Sequence, residues 1–136
     1  MNNFPLLLSP VTIRNRVYRN RILAAPFGGI KILPDGEIDP RDLEFNVRKA
    51  AGGYAEVCVG ETNVDFKYAH RSPHALHIDW KDLSDKNLQA YRTCARGIKE
   101  HGAIAMIEIH HAGHSTDVAI IGGGTGSAAA VGAFLQ

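Results

Sequence analysis

A carboxylate and two adjacent histidines lie at the end of an apolar segment, AIAMIEIHHAGHSTD, residues 103 to 117. Glu108 interrupts the apolar run, and His110 and His111 follow it almost directly. A charged group that is buried without a partner is costly in free energy, so an acid in an apolar strand needs a polar neighbour or ligand. The segment therefore predicts a strand whose end meets a polar partner or ligand.

The two histidines leave two assignments open. Successive side chains of a strand point to opposite faces, so alternation places His110 on the same face as Glu108. His111 joins that site only if the chain turns after the strand. A second group of histidines, His70, His74 and His77, has ligand-like spacing, but the neighbouring sequence RSPHALH is typical of a loop. We therefore predict no metal site.

Composition and charge exclude several classes of protein. The chain has 136 residues, the length of about one small domain, and its 15 basic and 14 acidic residues give a net charge of +1. This balance offers no basic field for nucleic acid or an acidic membrane surface. Cys58 and Cys94 are too few for a disulfide scaffold and lack C-x-x-C spacing. The opening MNNFPLLLSP resembles neither a signal peptide nor a membrane span. We expect a cytoplasmic protein that acts on a small molecule.

The elements that must position these groups alternate between strand and helix patterns. Apolar and β-branched runs predict strands, whereas apolar residues at helical spacing, with Ser84 as an N-cap and glycines at the C-termini, predict helices. The order β-α-β-α-β, with long connections, indicates an α/β fold with a parallel sheet. The predicted strands lie near 21 to 26, 54 to 60 and 103 to 109, and the helices lie in PRDLEFNVRKAAGG and LSDKNLQAYRTCARGIKEHG.

Polar and small residues follow each predicted strand. In parallel α/β folds, ligands bind at the C-terminal ends of the strands, where the loops converge. We therefore expect one concave site for a flat, hydrogen-bonding ligand. The residues at these strand ends are Ala25, Pro26, Phe27 and Gly28 after the first strand, Gly60 and Glu61 after the second, and Glu108, His110 and His111 after the third.

Three segments in series resemble one family. LLLSPVTIRNRVYRNRILAAPFGG, AAGGYAEVCVGETNVD and LSDKNLQAYRTCARGIKEHGAIAMIEIHHAGH are similar to the first three βα units of the old yellow enzyme family, the FMN-dependent NADH:flavin oxidoreductases. The forms VGET and IEIHHAG resemble the branch that contains 2,4-dienoyl-CoA reductases and the bile-acid-inducible steroid reductases of anaerobic bacteria. The resemblance covers roughly residues 4 to 117.

The resemblance implies a flavin site at the strand ends. Glu108 matches a Gln that hydrogen-bonds the flavin pyrimidine in many relatives; a carboxylate can accept from the flavin N3–H but loses the amide donor. His111, rather than His110, matches the family's histidine. The implied cofactor-binding residues are Ala25, Pro26, Phe27, Gly28, Gly60, Glu61, Glu108 and His111.

The resemblance also implies a fold and an activity. The expected fold is the N-terminal portion of a (β/α)₈ TIM barrel, with about three of its eight units. The expected activity is hydride transfer from NAD(P)H through FMN to an activated C=C bond of an enone or enoyl thioester. The family's catalytic groups belong to later strands, so the catalytic residues are unknown. The alternative is a catalytically inactive flavin- or nucleotide-binding fragment. FAD and an iron–sulfur cluster are expected only in a full-length relative.

Residues 118 to 136 form a Gly/Ala-rich tail that is distinct from residues 1 to 117. Gly122, Gly124 and Ser127 have the spacing of a dinucleotide-binding motif, in which phosphate rests on a helix N-terminus. The tail is either a truncated motif of this kind or a barrel loop. An open three-stranded sheet would also leave unpaired edges, which predicts marginal stability or self-association.

Overall fold

The computed structural model describes residues 4–27, 32–65, 68, 72–79 and 81–116. It shows an α/β fold with a hairpin, a parallel sheet and two helices. Among the described residues, no helix is long and apolar enough to cross a membrane. In chain order, the elements are β1 (Val11–Ile13), β2 (Arg16–Tyr18), β3 (Leu23–Ala24), α1 (Pro40–Ala51), β4 (Glu56–Asn63), α2 (Asp85–Glu100) and β5 (Ile104–His110), followed by a 3₁₀ turn (Gly113–Ser115).

The three predicted strands form one parallel sheet in the order β3-β4-β5, as expected. β3 is shorter than predicted, because only Leu23 and Ala24 pair with β4. β4 extends beyond its predicted end to Asn63, whose backbone N–H donates to the carbonyl of Leu76 and whose carbonyl accepts from Ile78. The segment around His77 therefore pairs in parallel with the last residue of β4.

Both helices begin at side-chain caps. Asp39 accepts from the backbone N–H of Arg41 ahead of α1, with Pro40 in the first turn, where a missing N–H costs nothing. Ser84 accepts from the N–H of Asn87 ahead of α2, which confirms the predicted N-cap. Left-handed Gly53, with φ of 107°, lies just past α1 and occupies the conformation that glycine favours there.

The hydrophobic core lies between the helices and one face of the sheet. The inward residues of β4, Val57 and Val59, alternate with the less buried Glu56 and Cys58 on the other face. No helix among the described residues covers that other face. The buried core residues are Ala24, Ile32, Ile38, Leu43, Ala50, Val57, Val59, Leu76, Cys94, Ile98 and Ala103.

The hairpin β1–β2 was not predicted. Arg19, which follows the hairpin, forms hydrogen bonds with backbone carbonyls near the ends of both helices. The Arg19 guanidinium donates to the carbonyls of Ala50, Tyr54 and His101 at 2.7 to 2.8 Å. These carbonyls lie at or just beyond the C-terminal ends of the two helices, where backbone acceptors lack intrahelical partners. Arg19 thus joins the N-terminal segment to both helices.

Candidate active site at the strand ends

Gly60 lies where the ends of the three parallel strands meet. A methyl group on its Cα would lie 2.7 Å from Cβ and 3.1 Å from Oε2 of Glu108, and 3.4 Å from Cβ of Pro26. Only a residue without a side chain allows β4 and β5 to approach so closely here. The fold therefore brings together one predicted site residue from each of the three strand ends.

The same strand ends carry a second polar cluster. Oε2 of Glu61 lies 3.6 Å from Nε2 of His110, and Nδ1 of His110 lies 3.1 Å from Oδ1 of Asn63. The pairing register between β4 and β5 shifts between Val59 and Thr62, which leaves Glu61 inside the irregular stretch. An extra residue in one strand redirects side chains locally, so the shift sets the direction of the Glu61 side chain.

Asn63 is fully buried and was not singled out in the sequence. Its Nδ2 donates to the carbonyl of Leu76 at 2.9 Å, which leaves Oδ1 for His110. A buried amide with both ends bonded is held in one orientation. The sequence signal that could have revealed it is a polar residue two positions beyond Glu61, because alternation returns that residue to the same face of a regular strand.

The two histidines of the opening motif have different surroundings. His110 is the last residue of β5 and lies within the polar cluster. His111 lies beyond the strand, is exposed, and accepts from the backbone N–H of Gly113 at its Nδ1. The structure thus places His110 beside Glu61, and it leaves His111 in the turn that follows.

The residues after β3 are exposed at the edge of the sheet. Ala25, Pro26 and Phe27 all follow the short strand, and the Phe27 ring packs edge-on against Phe45 of α1 with centroids 6.3 Å apart. The ammonium of Lys49 lies 4.3 Å from the Phe45 centroid, and burial lowers the pKa of Lys49. This aromatic contact turns the Phe27 ring towards α1. Gly28 lies outside the described residues.

Cys58 lies on the same strand face as Gly60. Burial raises the pKa of the Cys58 thiol, and the carboxylates of Glu108 and Glu56 raise it further. A thiol held protonated is a poor nucleophile. Cys58 therefore contributes packing rather than a reactive thiolate to this face.

The remaining histidines form no metal site in the part of the chain that is described. Nδ1 of His74 lies 3.1 Å from the carbonyl of Ile32, and His77 is buried, whereas His70 lies outside the described residues. Within those residues, no group of three metal-ligating side chains comes together.

Comparison with known proteins identifies the lineage. The model of the NADH:flavin oxidoreductase / NADH oxidase family matches residues 6–130. This chain belongs to that family. The NADH oxidase of Thermoanaerobacter brockii is 30% identical over 123 residues, which are 90% of this chain and 18% of that protein. The NADH:fumarate oxidoreductase of Klebsiella pneumoniae is 30% identical over 118 residues, which are 86% of this chain and 12% of that protein.

Solved structures show the same fold. The old yellow enzyme from Trypanosoma cruzi superposes with a TM-score of 0.72 at 21% identity, over 87% of this chain and 30% of that one. A 2-naphthoyl-CoA reductase superposes with a TM-score of 0.71 at 19% identity, over 88% of this chain and 17% of that one. This member of the NADH:flavin oxidoreductase / NADH oxidase family thus spans less than a third of these relatives.

Family membership implies use of FMN and NAD(P)H, and the residues of the strand ends fit a flavin. The exposed residues after β3 and the carboxylate of Glu108, which is held against Gly60, suit a flat ring that carries an imide N–H. The tail 118–136 lies outside the described residues, so its two interpretations stay predictions.

Proposed function

We propose that this chain supplies the first three βα units of a TIM-barrel flavin oxidoreductase that reduces an activated C=C bond. The observation that carries the proposal is the convergence of Pro26, Gly60 and Glu108 at the ends of three parallel strands, in a member of the NADH:flavin oxidoreductase / NADH oxidase family. Strand ends of this kind are where barrels build their active sites.

The proposed substrate class is an enone, an enoyl thioester or a related conjugated alkene. Two relatives support it by their names: one reduces fumarate, which carries a C=C bond between carboxylates, and the other reduces a naphthoyl thioester. Both substrates carry unsaturated carbon next to a carbonyl group.

Each residue of the site has a proposed role. Bound FMN would supply hydride acceptance from NAD(P)H and hydride donation to the alkene. Glu108 would accept a hydrogen bond from the imide N–H, and Gly60, which has no side chain, allows Glu108 to lie against β4. Residues 25–27 would line the ring, and Glu61, Gly28 and His111 would complete the proposed set. The proton donor and the phosphate-binding groups would come from later strands of the barrel.

A fusion of residues 6–116 to the remaining barrel of the Thermoanaerobacter brockii NADH oxidase tests this function. We expect the fusion to show a flavin absorption band that NADH bleaches and that an enone restores. Glu108→Leu should lose flavin, whereas Glu108→Gln, which still offers an acceptor, should retain it. A soluble, folded fusion that retains no flavin after incubation with excess FMN and gel filtration would contradict the proposed site.

A further inference from the structure

A chain of three side chains at the ends of β4 and β5 fixes the protonation pattern of His110. The chain begins at Asn63, whose Nδ2 donates to the carbonyl of Leu76. A carbonyl only accepts hydrogen bonds, so the amide nitrogen must face Leu76 and Oδ1 must face His110. These two hydrogen bonds therefore fix the orientation of the amide.

The orientation of Asn63 determines which nitrogen of His110 carries a proton. Oδ1 of Asn63 lies 3.1 Å from Nδ1 of His110, and an amide oxygen cannot donate. The Nδ1 atom must therefore be protonated in both the neutral and the charged ring. Nε2 is the nitrogen that gains and loses the second proton.

Nε2 of His110 faces the Glu61 carboxylate at 3.6 Å. When the ring is neutral, both atoms are acceptors and no hydrogen bond can form between them. When the ring is charged, Nε2–H faces a carboxylate across an ion-pair distance. The two side chains are 20% and 26% exposed, so water screens this contact only in part.

We propose that His110 is a proton-dependent positioning residue for Glu61. The imidazolium holds the carboxylate across the ends of β4 and β5. Loss of the Nε2 proton releases the carboxylate, which is then available to accept from an N–H group of a ligand. The meaning of this release for a flavin rests on the proposed function, but the tautomer and the contact do not.

Other titratable side chains lie on the elements around His110. Glu61 faces the ring from β4, and Glu108 lies two residues earlier on β5, on the same face. His77 pairs through its backbone with Asn63, and His111 follows in the chain, exposed to solvent. Of these side chains, Glu61 is the carboxylate that lies within ion-pair distance of the ring.

Nuclear magnetic resonance of the full chain, labelled with ¹⁵N at histidine, tests the tautomer without any flavin. Correlations between ring protons and ring nitrogens distinguish the two neutral tautomers, and His110→Gln assigns the signals. We expect the neutral His110 ring to keep its proton on Nδ1. A neutral ring protonated at Nε2 would overturn the proposal, even if the fusion protein proved to be an active flavoenzyme.

The Nε2–H signal of the charged His110 ring tests the contact with Glu61. We expect this proton to exchange slowly with water in the natural chain, because it faces the carboxylate, and to exchange faster in Glu61→Ala. The matched control, Glu108→Ala, should keep the slow exchange. Equal exchange in the natural chain and Glu61→Ala would overturn the proposal.

Discussion

At the residue scale, Gly60 sets the distance between β4 and Glu108. We predict that Gly60→Ala destabilises the fold by about 1–3 kcal/mol, because its Cβ would lie 2.7 Å from Cβ of Glu108. Urea denaturation of the natural chain and the variant measures this difference. The physical cause is overpacking between two strands whose separation is fixed by backbone hydrogen bonds.

Measuring Gly60→Ala in two variants of Glu108 distinguishes a clash with Glu108 from a general effect of alanine at position 60. Glu108→Gly removes the opposing Cβ, so Gly60→Ala should cost little in that background. Glu108→Ala removes the carboxylate but keeps the Cβ, so the cost should persist there. Equal costs in both backgrounds would show that Glu108 is not the obstacle.

The buried thiol of Cys94 predicts a pH dependence of stability. Burial raises the pKa of Cys94 from 9.0 to about 11 in the folded chain. Between these values the unfolded chain loses the thiol proton while the folded chain retains it, so the free energy of unfolding should fall as pH rises. The total loss by pH 11 is roughly 2 kcal/mol.

Cys94→Ala supplies the control for this titration. The alanine variant carries a constant packing cost, but the part of the decline that is due to the thiol disappears between pH 9.0 and about 11. Chemical denaturation at several pH values measures both chains. Curves that stay parallel across this range would show that the thiol ionises equally in the folded and unfolded chains.

At the element scale, Arg19 joins the segment after the hairpin to the ends of both helices. Arg19→Ala removes donors to the carbonyls of Ala50, Tyr54 and His101, and we predict a loss of about 2–3 kcal/mol in the free energy of unfolding. Arg19→Lys keeps the charge but not the fork of donors, so it should restore only part of the loss.

Arg92, which is exposed on α2, is the matched control for Arg19. Arg92→Ala should change stability by less than about 0.5 kcal/mol, as surface substitutions usually do. Hydrogen exchange adds a local measure, since Arg19→Ala should speed exchange in the last turns of α1 and α2. Unchanged exchange there would contradict the anchoring role of Arg19.

At the scale of the whole molecule, the described sheet has three strands and one face without helices. Apolar side chains remain exposed on that face, including Leu23 at 49% and Met106 at 46%. The proposed flavin site, built from three strand ends, would offer only part of the contacts of a barrel, but binding would still carry the full entropic cost of association.

We therefore predict that the isolated 136-residue chain binds FMN weakly or not at all and shows no ene-reduction, whereas the fusion to a full barrel does both. Quenching of FMN fluorescence measures affinity, and NADH oxidation with an enone measures turnover. Submicromolar binding and turnover by the isolated chain would contradict this prediction. Sedimentation of the same sample tests the predicted self-association.

The sequence alone determined the parallel β-α-β-α-β order, the Ser84 cap and the lineage. These features depend on local periodicity, on the residues that begin and end helices, and on motifs contiguous along the chain. Polar residues at strand ends also predicted the edge of the sheet where Pro26, Gly60 and Glu108 meet, because parallel strands direct their C-terminal ends to one side.

Only the tertiary structure decided how the remaining groups pair. The hairpin β1–β2, the three acceptors of Arg19 and the contacts of His110 with Glu61 and Asn63 depend on residues far apart in sequence. His110 joined the polar cluster because β4 shifts its register before Asn63 and because Leu76 fixes the Asn63 amide. Periodicity cannot reveal such pairings, since a register shift changes the partners of a strand without changing its own pattern.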